Sequence, residues 1–401
     1  MSADISPLAE PLPLPCGVVL DNRLAKGAMT EGLADEYNRS TPELETLYRR
    51  WADSGCGMLL TGNIQVDRRY MERPGNVAVD GNGGEAELRA YAEAGSNARC
   101  ALWAQVGHAG RQVSAITWPQ PVGPSAVGMG AALEANYPPP RELSEAEILD
   151  VIERFATACA TLKAAGFGGV QVHAAHGYLV SSFLSPLANR RADRWGGSLE
   201  NRARLLREVI AAVRASVGAA YPVAIKLNSS DFQQGGFTPQ ECCQVVEWLG
   251  DLGVDLLEIS GGSYMQPAMV GALPESTQRR EAYFLQYARQ VRAVAKMPLM
   301  VTGGFRTRAA MEAALTDDGI DAIGLARPLI VQPDVARGLL DGSVERVDEC
   351  EQPVLWHYEQ IRRMARGLDP DPQLDAKEAS RATMARDAAQ AAALLGRVEH
   401  D

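Results

Sequence analysis

The sequence predicts one (β/α)8 barrel of the TIM type over residues 1–345, with a long loop after its third strand and a C-terminal helical extension, 346–401, that is not an independent domain. Three observations predict it. Short β-type runs recur at 24–29, 58–61, 101–106, 169–173, 223–227, 256–259, 299–302 and 322–325, which is the count a closed parallel barrel needs. Each run is followed by a longer segment of helical character. The runs are apolar almost throughout, as expected of strands covered by helices outside and filled by side chains inside.

Helix starts agree with this alternation. Thr41-Pro42, Ser144 with Glu147, and Thr238-Pro239 with Glu241 each place a hydroxyl at the cap, ahead of Pro at the first helical position or Glu at the third. The Pro- and Gly-rich stretch 108–143 is too long for an ordinary connection and reads as a lid or rim. After Pro370 the chain turns Ala-rich and charged, which suggests a peripheral helix or a frayed tail.

Composition narrows the function. The 401 residues are 46% apolar and 22% charged, which is ordinary globular usage. A net charge of −11 would repel phosphate backbones and anionic lipid, so neither nucleic acid nor a membrane surface is expected as a partner. The start has acidic residues and prolines where a secretory signal needs a positive end and an apolar run. Seven cysteines without C-x-x-C spacing point to a reduced, cytoplasmic protein without a zinc or iron–sulfur site. A homo-oligomer is neither required nor excluded.

Barrel chemistry gathers at the carboxyl ends of the strands. The fourth run ends in Val172-His173-Ala174-Ala175-His176-Gly177-Tyr178, which puts two imidazoles and a phenol on one short segment. No further His or Cys stands at the spacing a metal site would need, so no metal is expected. Two imidazole N–H groups aimed at one point can hold and polarise a carbonyl oxygen, and a nearby phenol can deliver a proton to the adjacent carbon. That combination suits conjugate reduction. The last two strands end in Thr302-Gly303-Gly304 and Ala326-Arg327, small residues plus a guanidinium of the kind that cradles phosphate. Gln105 and Lys226 face the same mouth, and Lys226 reads equally as the Schiff-base nucleophile of a barrel lyase or as half of a salt bridge.

These motifs resemble the Old Yellow Enzyme family of FMN-dependent NADH:flavin oxidoreductases and ene-reductases, over roughly 14–340. The run from His173 to Leu179 carries the resemblance, with Phe183-Leu184-Ser185-Pro186, Asn189-Arg190-Arg191, Asp193 and Gly196-Gly197-Ser198. It implies bound FMN, with NADH or NADPH as reductant and a small electrophilic alkene as substrate. His173 and His176 would hold the substrate carbonyl and Tyr178 would protonate the α carbon. Ala28, Met29 and Thr30 would meet the isoalloxazine, Thr30 at the position that bonds O4. Gly62 and Gln105 would touch the ring, while Gly303, Gly304, Ala326 and Arg327 would hold the phosphate. The loop 189–202 would be a structural clamp. One departure is that Lys226 stands where better-known members carry Arg beside N1 and O2, and it lacks the bidentate fork. Another is that Cys350 stands alone, which disfavours the iron–sulfur branch. A non-catalytic, flavin-binding redox sensor is the rival outside catalysis.

Overall fold

The computed structural model describes residues 5–262, 285–348 and 351–398. Cys350 lies outside them. Eight parallel strands form the barrel: β1 (Leu24–Lys26), β2 (Met58–Leu60), β3 (Ala101–Gly107), β4 (Gly169–Ala174), β5 (Val223–Asn228), β6 (Leu256–Ser260), β7 (Leu299–Thr302) and β8 (Ala322–Leu325). Each pairs with its sequence neighbour except across the seam, where β8 pairs with β1 to close the ring. A short strand, Ile64–Gln65, adds to the end of β3.

Helices α1 (Pro42–Ala52), α2 (Glu85–Ala94), α3 (Glu145–Ala165), α4 (Arg204–Val217), α5 (Pro239–Asp251), α6 (Leu285–Arg292), α7 (Arg308–Asp317) and α8 (Val335–Asp341) follow the strands in turn. Their buried faces pack on the outside of the strands. Inside, Met58, Leu60, Trp103, Leu256 and Met300 fill the lower barrel, and Leu12, Leu14 and Leu20 of an N-terminal antiparallel pair plug its base. Gly169 is required there: a Cβ on it would lie 2.5 Å from the Trp103 indole.

Local expectations met three corrections. The first strand spans Leu24–Lys26 rather than running to Met29; the Gly27 amide still donates to the Leu325 carbonyl at 2.7 Å, and a Cβ on Gly27 would meet Thr302 Cγ2 at 2.7 Å. Ser144 and Thr238 build full capping boxes, but Thr41 does not cap α1, since its hydroxyl donates to the Leu33 carbonyl. The C-terminal segment is helical rather than frayed. Helix α9 (Val354–Ala365) packs on α1, and α10 (Ala376–Val398) packs on α9 across the carboxyl face of the barrel, where Asp387 pairs with Arg73.

Candidate active site

The site starts from the turn that ends β4. His173 faces into the barrel, and the chain then reverses through His176 and Gly177, whose φ angles of 63° and 83° are both left-handed. Such a conformation costs a non-glycine residue roughly 1–3 kcal/mol and persists where neighbours enforce it. Here Asn228 Oδ1 accepts from the His176 amide at 3.1 Å and Ser181 Oγ from the Gly177 amide at 3.2 Å. The turn sets the His173 ring 5.0 Å from that of His176 and 4.7 Å from that of Tyr178, both nearly perpendicular.

Protonation follows from the surroundings. Burial, reinforced by the charge of Lys226, holds both imidazoles well below the ordinary histidine range, so each is neutral at pH 7 with one N–H and one lone pair. His173 Nδ1 accepts from the Ala175 amide at 3.2 Å, which places its proton on Nε2. His176 Nε2 lies 2.6 Å from Ser260 Oγ, and with that hydroxyl as donor its proton is on Nδ1. Asn63 Nδ2 donates to the Tyr178 oxygen at 3.4 Å.

These groups line a cavity of about 710 Å³ at the carboxyl ends of the strands, shared with Ala28, Met29, Thr30, Gln105, Lys226 and Arg327. Nine of the residues singled out by sequence therefore converge: Ala28, Met29, Thr30, Gln105, His173, His176, Tyr178, Lys226 and Arg327. Gly62, Gly303, Gly304 and Ala326 do not line it. The Gly62 amide is taken by Glu31 Oε1 at 2.8 Å, and a Cβ there would lie 2.2 Å from Glu31 Oε2, so glycine serves the buried carboxylate. The Gly303 amide donates to Gly324 O at 3.1 Å. The Thr30 hydroxyl donates to Glu72 Oε2 at 2.9 Å. Lys226 Nζ lies 2.9 Å from Glu258 Oε1, a charge contact that makes it half of a salt bridge.

Two further segments complete the wall, one of them the stretch 108–143 that reads as a rim. Ser114, Ile116, Leu133, Asn136 and Tyr137 bring the long loop to the rim, while Leu355, His357, Tyr358, Ile361 and Asp387 come from the C-terminal helices. Arg73 binds Asp387 in a fork, at 2.8 and 3.1 Å, with its guanidinium 3.6 Å from the Tyr358 ring centroid. Trp356 is buried, bonding the Leu374 carbonyl. In the loop 189–202, Arg191 pairs with Asp193 and Asn189 bonds two carbonyls, all away from the cavity. Among the described residues no group of three or more potential ligands could hold a metal ion, and no helix is long and apolar enough to cross a membrane.

A parallel barrel whose carboxyl face opens into a cavity of this size, walled by neutral imidazoles, a phenol and a lysine, defines a TIM-barrel enzyme of the cofactor-binding kind. The chain belongs to the NADH:flavin oxidoreductase / NADH oxidase family, whose pattern matches residues 7–343. The NADH-dependent flavin oxidoreductase iliE of Hypocrea jecorina (strain QM6a) is 36% identical over 346 residues, 80% of this chain and 86% of the relative. The NADH oxidase of Thermoanaerobacter brockii is 31% identical over 339 residues, 83% of this chain and 50% of the relative. Among solved structures, the old yellow enzyme homologue from Zymomonas mobilis superposes with a TM-score of 0.72 at 26% identity, covering 86% of this chain and 95% of that one. A 2-naphthoyl-CoA reductase complex gives 0.82 at 25% identity, covering 91% of this chain and 58% of that one. The chain spans 46% of the iliE protein of Neonectria sp. (strain DH2), so some relatives are about twice as long.

The cofactors are FMN and a nicotinamide nucleotide, as in this family. The residues present fit FMN. The cavity lies within the roughly 300–1,000 Å³ usual for cofactor pockets. Gln105 and Lys226 provide a buried amide and cation on its floor, Ala28 and Met29 an apolar wall, and Arg327 an exposed guanidinium at its rim.

Proposed function

We propose that the protein reduces the activated C=C bond of α,β-unsaturated carbonyl or nitro compounds, with NADH or NADPH as the source of the two electrons. The observation that carries this reading is the cluster of two neutral imidazoles and a phenol, with ring separations of 5.0 and 4.7 Å, on the wall of the 710 Å³ cavity. When bound, FMN would be held by Ala28, Met29, Gln105, Lys226 and Arg327 and would supply the hydride-transfer chemistry that links nicotinamide to alkene.

The chain's own residues do the rest. His173 through Nε2–H and His176 through Nδ1–H hold the substrate oxygen and stabilise the negative charge that builds on it, as neutral donors that keep their protons. Tyr178 gives its phenolic proton to the α carbon. Hydride at one carbon and proton at the other balance as net addition of H2. The amide of Asn63 supports the phenolate that remains until solvent reprotonates it.

The test separates the half-reactions. In Tyr178→Phe, reduction of bound flavin by nicotinamide should stay within about twofold of wild type, while reoxidation by a cyclic enone slows by about 10²-fold or more, the usual worth of a positioned acid. Equal loss in both half-reactions would remove Tyr178 from the role of proton donor.

A further inference from the structure

One polar side chain from each of the consecutive strands β3 to β6 joins a row inside the barrel: Gln105, Gln171, Lys226 and Glu258. They form one chain. Glu258 is wholly buried, and Lys226 is its register partner across the β5–β6 ladder, with Nζ 2.9 Å from Oε1. Glu258 Oε2 accepts from Gln171 Nε2 at 2.8 Å, and Gln171 Oε1 accepts from Gln105 Nε2 at 2.7 Å. Gln105 and Lys226 line the cavity, whereas Gln171 and Glu258 stand behind them.

The polarity of this chain is dictated from its far end. An ionised carboxylate can only accept, so Gln171 must turn its NH2 group to Glu258 and its carbonyl to Gln105. Gln105 must then spend an N–H on Gln171, which leaves its own carbonyl oxygen for the cavity. The contact of Glu258 Oε1 with Lys226 is one of charge without hydrogen-bond alignment, since Oε1 accepts no aligned donor. The ammonium keeps its N–H donors for a ligand, and its charge is offset from behind.

We infer that Glu258 is a positioning residue for the flavin: through Gln171 it fixes Gln105 as an acceptor, through its charge it moderates Lys226, and so it sets how tightly reduced FMN is held relative to oxidised FMN. This rests on the reading of the cavity as the flavin site. A lone cation on the cavity floor would favour the anionic reduced ring more strongly, and the carboxylate behind it lowers that preference.

The experiment compares holoenzyme as wild type, Glu258→Gln, Lys226→Met and the double variant, measuring FMN stoichiometry, the Kd for oxidised FMN and the midpoint potential of bound flavin at pH 6.5. The wild type tests the flavin reading by itself, because a cavity that takes up no FMN sinks that reading before Glu258 is examined. With FMN bound, Glu258→Gln should raise the potential, equivalent to about tenfold tighter binding of reduced relative to oxidised FMN. In the Lys226→Met background the same change should alter that ratio by less than about threefold. A ratio within twofold of wild type in the single variant, or an undiminished shift in the absence of Lys226, overturns the proposal. Should Glu258→Gln not fold, Gln171→Leu uncouples Gln105 without removing a charge: weaker oxidised FMN with an unmoved redox ratio is expected, and unchanged affinity overturns the proposal.

Discussion

Lowering the pH from 7 to 5 should destabilise this protein steeply, because its buried histidines are held neutral. Burial pushes His108 and His357 down to about 4, with nearby arginines adding to the effect, and it pushes His173 and His176 well below the ordinary range. Unfolded histidine titrates near ~6.5. Below that pH the unfolded chain binds protons that the folded chain refuses, so stability is full above about 6.5 and falls as pH drops, by ~1.4 kcal/mol per unit per residue. At pH 5 the cost is ~2 kcal/mol each for His108 and His357, or ~4 kcal/mol together. His173 and His176 add to this. Glu31 and Asp231, whose carboxyls burial pushes up, take protons in the folded state and subtract part of it. The carboxylates held down by arginines, Asp67 by Arg69 and Glu147 by Arg141, lose their contribution at lower pH, outside this window. The assay is urea unfolding of the FMN-saturated protein at pH 7, 6 and 5. His108 and His357 alone account for ~4 kcal/mol of loss, a large share of the roughly 5–15 kcal/mol that holds a domain folded, and His357→Asn should shrink the loss by ~2 kcal/mol. Stability that is flat to within about 1 kcal/mol between pH 7 and 5 would refute the neutral-histidine argument.

Three further outcomes follow from particular contacts. Asp387→Ala strips the buried fork from Arg73 and loosens α10 over the cavity mouth; it should cost ~3 kcal/mol and raise the enone KM, measured by denaturant melts and steady-state kinetics. Ser260→Ala frees His176 Nε2 and the choice of tautomer, so a phenol that mimics the substrate oxygen should bind about three- to tenfold more weakly by flavin absorbance titration. Gly169→Ala drives a methyl into the Trp103 indole and should lower stability by roughly 1–3 kcal/mol with no change in the KM of the surviving enzyme.

The barrel was legible because each strand is a nearly continuous apolar run, and the β4 cluster because three polar rings on six residues have no packing reason to be there. Other features required register. Glu258 was visible in Leu256-Leu257-Glu258-Ile259 as a charge inside a buried strand, which demands a partner, yet only the β5–β6 pairing shows that Lys226 meets it. Glu31 likewise explains Gly62, since the glycine amide and the carboxylate come from different strand ends. In the C-terminal wall, the contact that pins α10 was not legible. Arg73 and Asp387 are 314 residues apart, and the Ala-rich α10 has no strong apolar stripe to announce that it packs. Thr41 illustrates a smaller limit: a hydroxyl before Pro satisfies the cap pattern, but a nearer carbonyl claimed it.

An anaerobic titration of the purified protein followed by visible absorbance tests the central claim most directly. The account predicts a bound flavin spectrum that NADH or NADPH bleaches and a stoichiometric cyclic enone restores, with saturated ketone as the product. A protein without bound flavin, or a bleached flavin that oxygen reoxidises but enones leave untouched, would contradict it.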